Sequence, residues 1–287
     1  MLALAGALAF LSVAQGPSQT EPVRVPSLTG RIEDVAEFES KALGNKRNLH
    51  VYLPPGYEAN PRRKYPVLYV HDGQNVFNGA TSYLPNKEWR LDETAEALIG
   101  AGLIEPLIIV GIDNAGIERA NEYLPTRFKP RWSDSEMGGK ADLYGKMLVE
   151  EIKPFIDRRY RTRSDARSTG LMGSSFGGVV TYYLGITHPN VFSRLGVVSP
   201  SVWVDDYLLV KKTHALKGKL PLKIWLDMGT QEGPEATKDA QTLKRALNLK
   251  GWRDGKDLAY YEEGFAQHNE DAWARRSPAI LMFLFGR

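Results

Sequence analysis

The sequence predicts an α/β protein with a mostly parallel central sheet and helices on both faces. Three observations carry this. Compact apolar runs bounded by turn residues recur along the chain, and segments with apolar residues at helical spacing lie between them. The 287 residues show no internal repeat and no mid-chain linker, and that length is ample for one such core.

Each element follows from its residues. Asn48 to Leu53 (NLHVYL) alternates as a strand and stops at Pro54-Pro55-Gly56. Tyr65 to Val70 (YPVLYV) and Leu107 to Ile112 (LIIVGI) read as buried strands, with a helix at Asp92 to Gly100 between them. Asp142 to Tyr160 places Leu143, Met147, Leu148, Ile152, Phe155 and Ile156 at helical spacing. Ser168 to Met172 is a short strand, followed by glycines and a helix to about Thr187. Strands follow at Leu195 to Val198, Leu222 to Asp227 and Leu258 to Glu262, with helices at Thr237 to Leu249 and Glu270 to Phe285. Asn114 to Gly139 is a long connection that reads as a partial lid.

Before these elements, Leu2 to Val13 is almost wholly apolar and ends in Ser12-Val13-Ala14. This predicts a secretory signal over residues 1–14, cut after Ala14, although no Lys or Arg precedes the run. Residues 15–29 carry Pro17, Pro22 and Pro26 and read as an exposed lead-in to a catalytic domain over residues 30–287. The expected location is therefore secreted or periplasmic. No apolar run is long enough for stable membrane insertion. Oligomeric state is not legible in the sequence.

Composition removes several function classes. Hydrophobic residues make up 43% and charged residues 25%, as in an ordinary globular chain. The net charge is +3 and the basic residues form no tract, so nucleic acid is not an expected partner. The chain has no cysteine, which excludes disulfides, a cysteine nucleophile and thiolate metal sites. Five dispersed histidines without an HExxH pattern point to no metal, and no cofactor is expected.

Gly173-Ser174-Ser175-Phe176-Gly177 fits G-x-S-x-G where a strand ends and a helix begins. A tight turn there thrusts the serine hydroxyl above the sheet, and the helix N-terminus supplies free N–H groups to a developing oxyanion. Ser175 is thus the candidate nucleophile. Its partners are expected in the order acid, then histidine. His50 and His71 precede the serine, and His188 lies about 20 Å along the same helix. His214 sits in a lysine-rich connection, which leaves His268, in a loop after the last strand, as the base. Glu232, just past the Leu222 strand, is the candidate acid; Asp227 is an alternative that falls within the strand, and Asp205 and Asp206 are more remote ones. The backbone N–H groups of Phe176 and Gln74 are the candidate oxyanion donors. Asp72 and Asn75 either brace the Gln74 loop or are ordinary turn residues, and Trp89, Tyr123, Trp203 and Trp273 are candidate pocket walls, with core packing as the alternative for each.

Several blocks in order resemble the esterase D family of α/β-hydrolases. They are VYLPPGY (Val51 to Tyr57), YPVLYVHDGQNVF (Tyr65 to Phe77), RANEYLP (Arg119 to Pro125), LVEEIKPFIDRRYRT (Leu148 to Thr162), GSSFGG (Gly173 to Gly178), DMGTQEG (Asp227 to Gly233) and HNEDAW (His268 to Trp273). The resemblance covers nearly all of Gly30 to Arg287 and implies the α/β-hydrolase fold, the triad Ser175, Glu232 and His268, and the Gln74 and Phe176 amides as oxyanion hole. Glu at the acid position departs from members that use Asp. Feruloyl, acetylxylan and enterochelin esterases are similar, as are mycolyltransferases. S-formylglutathione hydrolase, also similar, fits less well, because this chain lacks cysteine and carries a predicted export signal.

The expected function is a serine carboxylesterase acting through an acyl-enzyme on feruloyl or acetyl esters of plant polysaccharide, or on related small esters. Alternatives are a siderophore trilactone esterase, an acyltransferase on the same triad, a peptidase and, from another class, a non-catalytic ligand-binding α/β protein.

Overall fold

The strand order of the main sheet puts the edge hairpin at one side and the chemistry near the middle. A computed structural model describes residues 22–130 and 133–287; the expected signal at 1–14 lies outside them, as do residues 15–21 of the lead-in. In chain order the elements are Arg31–Ser40 (β1), Asn45–Leu53 (β2), Val67–His71 (β3), Leu91–Gly100 (α1), Ile108–Ile112 (β4), Arg119–Tyr123 (α2), Arg127–Phe128 (β5) and Met137–Gly138 (β6). They continue with Ala141–Lys146 (α3), Lys153–Arg159 (α4), Thr169–Ser174 (β7), Phe176–Thr187 (α5), Arg194–Val198 (β8), Val204–Ala215 (α6), Lys223–Gly229 (β9), Ala236–Leu249 (α7), Leu258–Glu263 (β10) and Glu270–Phe285 (α8).

The main sheet runs β1-β2-β4-β3-β7-β8-β9-β10, and β5 pairs with β6 in a separate two-stranded sheet. Strands β4 through β10 of that order pair in parallel, while β1 and β2 add an antiparallel edge. Side chains alternate between the two faces as the pleat demands. On β3, Val67 and Tyr69 join the core under α3 to α7, whereas Leu68 and Val70 join the core under α1 and α8. On β9, Ile224 and Leu226 take the first side and Trp225 the second. Helices therefore cover both faces, as the apolar runs predict.

Some elements differ from the sequence reading. Strand β1 was not expected. Its sequence, RIEDVAEFES, is mostly polar because one face is solvated, and a bulge between Val35 and Phe38, with Glu37 at φ 51°, breaks the two-residue period. The single helix expected over Asp142 to Tyr160 is divided by a π-helical turn at Met147–Ile152, just before Pro154, whose missing N–H interrupts the regular ladder. Helices α2 and α6 occupy stretches read as connections. In α6, Asp205, Asp206 and Tyr207 all have positive φ, so local propensity does not announce it.

The lead-in is exposed but tied down. Val25 N–H donates to Asn86 Oδ1 at 2.7 Å, Asn86 Nδ2 donates to Val23 O at 2.8 Å, and Thr29 N–H donates to Asp92 Oδ2 at 2.6 Å. These bonds lay Val23 to Thr29 along the loop that precedes α1.

His50 on β2 bridges two carboxylates. Its Nδ1 lies 2.6 Å from Asp34 Oδ1, and its Nε2 lies 3.0 Å from Asp113 Oδ1, just beyond β4. Burial alone would lower the imidazole pKa, but hydrogen bonds and charge from Asp113 and Asp34 outweigh it and raise the pKa above its ordinary value. A raised native pKa contributes stability that is fully present below the unfolded value, about 6.5, and is lost as pH rises through the native value. His50→Asn is therefore expected to lower the melting temperature more at pH 6 than at pH 9. Thermal denaturation at the two pH values checks this; an equal drop at both would exclude a charged His50 bridge.

Candidate active site

Ser175 stands between β7 and α5 with φ 60° and ψ −122°, a strained conformation for a residue with a side chain. Its N–H donates to Val198 O at 3.1 Å and Ser199 O at 3.2 Å, which anchors the turn to the end of β8. The turn closes only because its neighbours lack side chains. A Cβ on Gly173 would lie 2.9 Å from Gly177 C and from His71 Cδ2, and one on Gly178 would lie 2.9 Å from Val198 O. Among the described residues the Ser175 hydroxyl has one side-chain hydrogen-bond contact, to Ser201 Oγ at 3.5 Å, and none to His268.

His268 follows β10 and lines the same cleft as Ser175. Its Nδ1 lies 2.7 Å from Glu232 Oε2. Glu232 sits in the loop after β9, its side chain almost wholly buried. Three donors converge on its other oxygen: Ser199 Oγ at 2.7 Å, Gly229 N–H at 2.7 Å and Arg276 at 3.3 Å. Burial would raise this carboxyl, but His268 first, and then Ser199 and Arg276, outweigh it and hold the pKa below its ordinary value.

Ser199 has no choice of direction. Trp273 Nε1, which can only donate, reaches its Oγ at 3.1 Å, and the Arg276 guanidinium reaches it at 3.0 Å. With both lone pairs engaged, the Ser199 proton must go to Glu232. Arg276 also pairs with Asp227 at 2.8 Å. Asp227 lies within β9, fully buried, and accepts from Trp225 Nε1 at 2.7 Å and Ser199 N–H at 3.0 Å. It supports the Glu232 site from behind and does not bond His268. Asp205 and Asp206 lie at the start of α6; Asp205 accepts from Thr126 Oγ1 and Asp206 pairs with Lys211.

The loop after β3 forms the opposite wall. Asp72, at φ 60°, holds Arg119 through both oxygens, at 2.6 and 2.8 Å, and accepts from Asn114 Nδ2 at 2.7 Å. Burial would raise its carboxyl, but Arg119 and then Asn114 outweigh it and hold it below its ordinary value. Asn75 Oδ1 accepts from Tyr83 N–H at 2.9 Å, so both predicted braces do brace the loop. Among the described residues, neither the Gln74 nor the Phe176 N–H donates to an intramolecular acceptor, so both are free for a ligand.

The cleft has a volume of about 400 Å³ and includes Gln74, Tyr83, Arg119, Glu270 and Trp273 in its lining. Of the expected aromatic walls, Trp273 is there, edge-on to His268 at 5.1 Å. Tyr123 is not: it is fully buried among His71 and Tyr144, and its hydroxyl accepts from Asp72 N–H at 3.2 Å. A buried tyrosine needs a partner for its hydroxyl, and the Asp72 turn supplies it. Trp203 packs on Phe176 but lines a neighbouring groove. Trp89 is a core residue behind Trp273. No helix among the described residues is long and apolar enough to cross a membrane.

Over residues 40–284 the chain matches the family described as "Putative esterase". The chain belongs to this esterase family. It is a carboxylesterase, and its fold is that of the α/β-hydrolases. A curated relative, the endo-1,4-beta-xylanase/feruloyl esterase of Xylanibacter ruminicola, is 28% identical over 76% of this chain and 27% of its own length. The ferri-bacillibactin esterase BesA of Bacillus subtilis is 28% identical over 65% of this chain and 66% of its own length. A solved ferulic acid esterase superposes with a TM-score of 0.69 at 19% identity, over 90% of this chain and 99% of that one.

Sequence reasoning passed over Ser199, Arg276, Asn114 and Glu270 in this esterase. The signal for Arg276 was present: it lies six residues into the helix that begins with Glu270, and a charged residue on an apolar helix face demands a buried partner. Ser199 carries no sequence signal, because its role arises from three elements meeting.

Ser199→Ala removes a donor from Glu232 and leaves Trp273 Nε1 and Arg276 short of an acceptor. It is expected to cost about 1–3 kcal/mol of stability and to lower kcat about tenfold with KM little changed. Denaturant melts and steady-state kinetics on p-nitrophenyl acetate check this. A variant with wild-type kcat would remove Ser199 from the positioning of Glu232.

Proposed function

We propose that the esterase hydrolyses its substrate through a Ser175–His268–Glu232 triad. The observation that carries this is the convergence of the Ser175 turn and the Glu232-held His268 on one cleft. His268 Nε2 takes the Ser175 proton as Oγ attacks the ester carbonyl. The Gln74 and Phe176 N–H groups hold the tetrahedral oxyanion, and the buried Glu232 carboxylate stabilises the imidazolium. Collapse releases the alcohol, protonated by His268. Water activated by the same histidine then attacks the acyl-enzyme and frees the acid. The 3.5 Å Ser201 contact leaves Ser175 Oγ loosely held, and the hydrogen bond from Ser175 to His268 forms in the substrate complex, as catalytic hydrogen bonds often do.

The substrate class we propose is feruloyl or acetyl esters of plant polysaccharide, or related small esters. The relative named as a feruloyl esterase supports this. A siderophore ester is the second reading, supported by the relative named for ferri-bacillibactin. We further propose export by an N-terminal signal over residues 1–14, on the apolar run and its Ser12-Val13-Ala14 end.

Ser175→Ala and His268→Ala are each expected to lower kcat/KM on p-nitrophenyl acetate by about 10⁴-fold or more. A fluorophosphonate should label the wild-type enzyme on Ser175 alone and fail on His268→Ala. An unlabelled folded enzyme, or a fully active Ser175→Ala variant, would end the triad reading. Export is checked by N-terminal sequencing of protein recovered outside the cytoplasm of the expressing cell. A mature chain starting at Gln15 is expected, and an intact Met1 chain confined to the cytoplasm would refute it.

A further inference from the structure

Glu270 opens α8 and is only 5% exposed, yet it lines the cleft beside Ser175 and His268. No step of the proposed hydrolysis uses it. Asn75 Nδ2 donates to its Oε1 at 3.2 Å. The Asn75 amide cannot turn round, because its Oδ1 accepts from the backbone N–H of Tyr83 at 2.9 Å and from Ser82 Oγ at 3.3 Å. Among the described residues no cation lies within ion-pair distance of Glu270, and no other residue donates to Oε2. Asp72, on the same cleft, shows the contrast: its charge is answered by Arg119 on both oxygens. Burial also holds Glu270 above the usual carboxylate range. A largely buried carboxyl met by one neutral side-chain donor and its own backbone N–H, with no charged partner, keeps acceptor capacity on the cleft side, and a ligand that donates to it gains by it.

We propose that Glu270 is a specificity-determining residue whose Oε2 accepts a hydrogen bond from a neutral hydroxyl group of the ester substrate. The hydroxyl belongs either to a phenolic acyl group or to the sugar bearing the ester. This rests on the Ser175 reading and deepens it. It also separates the two substrate classes above. The Asp72 charge is already cancelled by Arg119, so the carboxyl at Glu270 leaves nothing in this wall to welcome a multiply charged anionic acyl group, whereas a neutral hydroxylated ester fits.

The test compares matched esters that differ only in a capped hydroxyl. One arm sets methyl ferulate against methyl 3,4-dimethoxycinnamate. The other sets a monoacetylated methyl xyloside against its di-O-methyl ether. A cationic ester, methyl 4-(aminomethyl)cinnamate, completes the set. Wild-type enzyme is expected to favour the free hydroxyl in kcat/KM by about tenfold or more in one arm, and that arm identifies the source of the hydroxyl. In Glu270→Gln, Asn75 keeps the amide oxygen and turns the NH₂ toward the cleft, so the ratio should fall to near one. Equal rates in both arms, an unchanged ratio in Glu270→Gln, or a preference for the cationic ester would each overturn the proposal. Fluorophosphonate labelling and p-nitrophenyl acetate hydrolysis in the same samples report on Ser175 and on folding. If both fail in the wild type, the triad reading falls and the proposal with it; if both succeed without hydroxyl discrimination, only the Glu270 proposal falls.

Discussion

A carboxylate buried as deeply as Glu232 stays ionised only while donors surround it, and much of the site is organised around that requirement. Ser199, Gly229 and Arg276 meet one oxygen, which leaves the other for His268. Arg276 in turn is buried and needs its own counter-charge, which Asp227 supplies from β9. The chain of obligations therefore runs from the loop histidine through the ends of β8 and β9 into α8. Each link is set by the one before it. Trp273 and Arg276 force the Ser199 proton onto Glu232, and Ser199 N–H returns to Asp227.

The same rule shapes the other wall. Asp72 sits in a left-handed turn that would be costly alone, and the bidentate Arg119 with Asn114 over-determines it. That turn presents the Gln74 N–H without an internal acceptor. Arg119 comes from α2, so the long connection after β4 contributes directly to the cleft. Further along the same connection the β5–β6 ribbon follows. Glu270 is the exception among the cleft carboxyls: among the described residues it is buried without a charged partner, and for that reason it is the place to look for substrate recognition.

The Ser175 turn is where strain and packing meet. Its positive φ persists because β8 accepts its N–H and because Gly173, Gly177 and Gly178 let backbone and His71 close in. The free N–H groups of the first turn of α5 follow from helix geometry alone. Position and electrostatics at the turn are thus two consequences of one strand–helix junction.

Much of this was legible in the sequence. Periodicity located β3, β4, β7, β9, α1, α7 and α8 to within a residue or two, since buried strands and amphipathic helices write their burial into the chain. The serine turn and the placing of Glu232 after β9 and His268 after β10 were readable for the same local reason: motif and chain order mirror the sheet. The polar edge strand β1 and the irregular start of α6 were not readable, because their form depends on neighbours rather than on their own residues. Nor could the sequence separate cleft from core for the aromatics: Trp273 faces His268, while Tyr123 serves the Asp72 turn from beneath. The sequence by itself determined the fold class, the alternation of the buried strands with the amphipathic helices and the candidate serine, acid and base. Only the tertiary structure decided who holds Glu232, which wall Arg119 braces and which cleft carboxyl lacks a charged partner. Those are matches between donors and acceptors far apart in the chain, and local pattern carries no record of them.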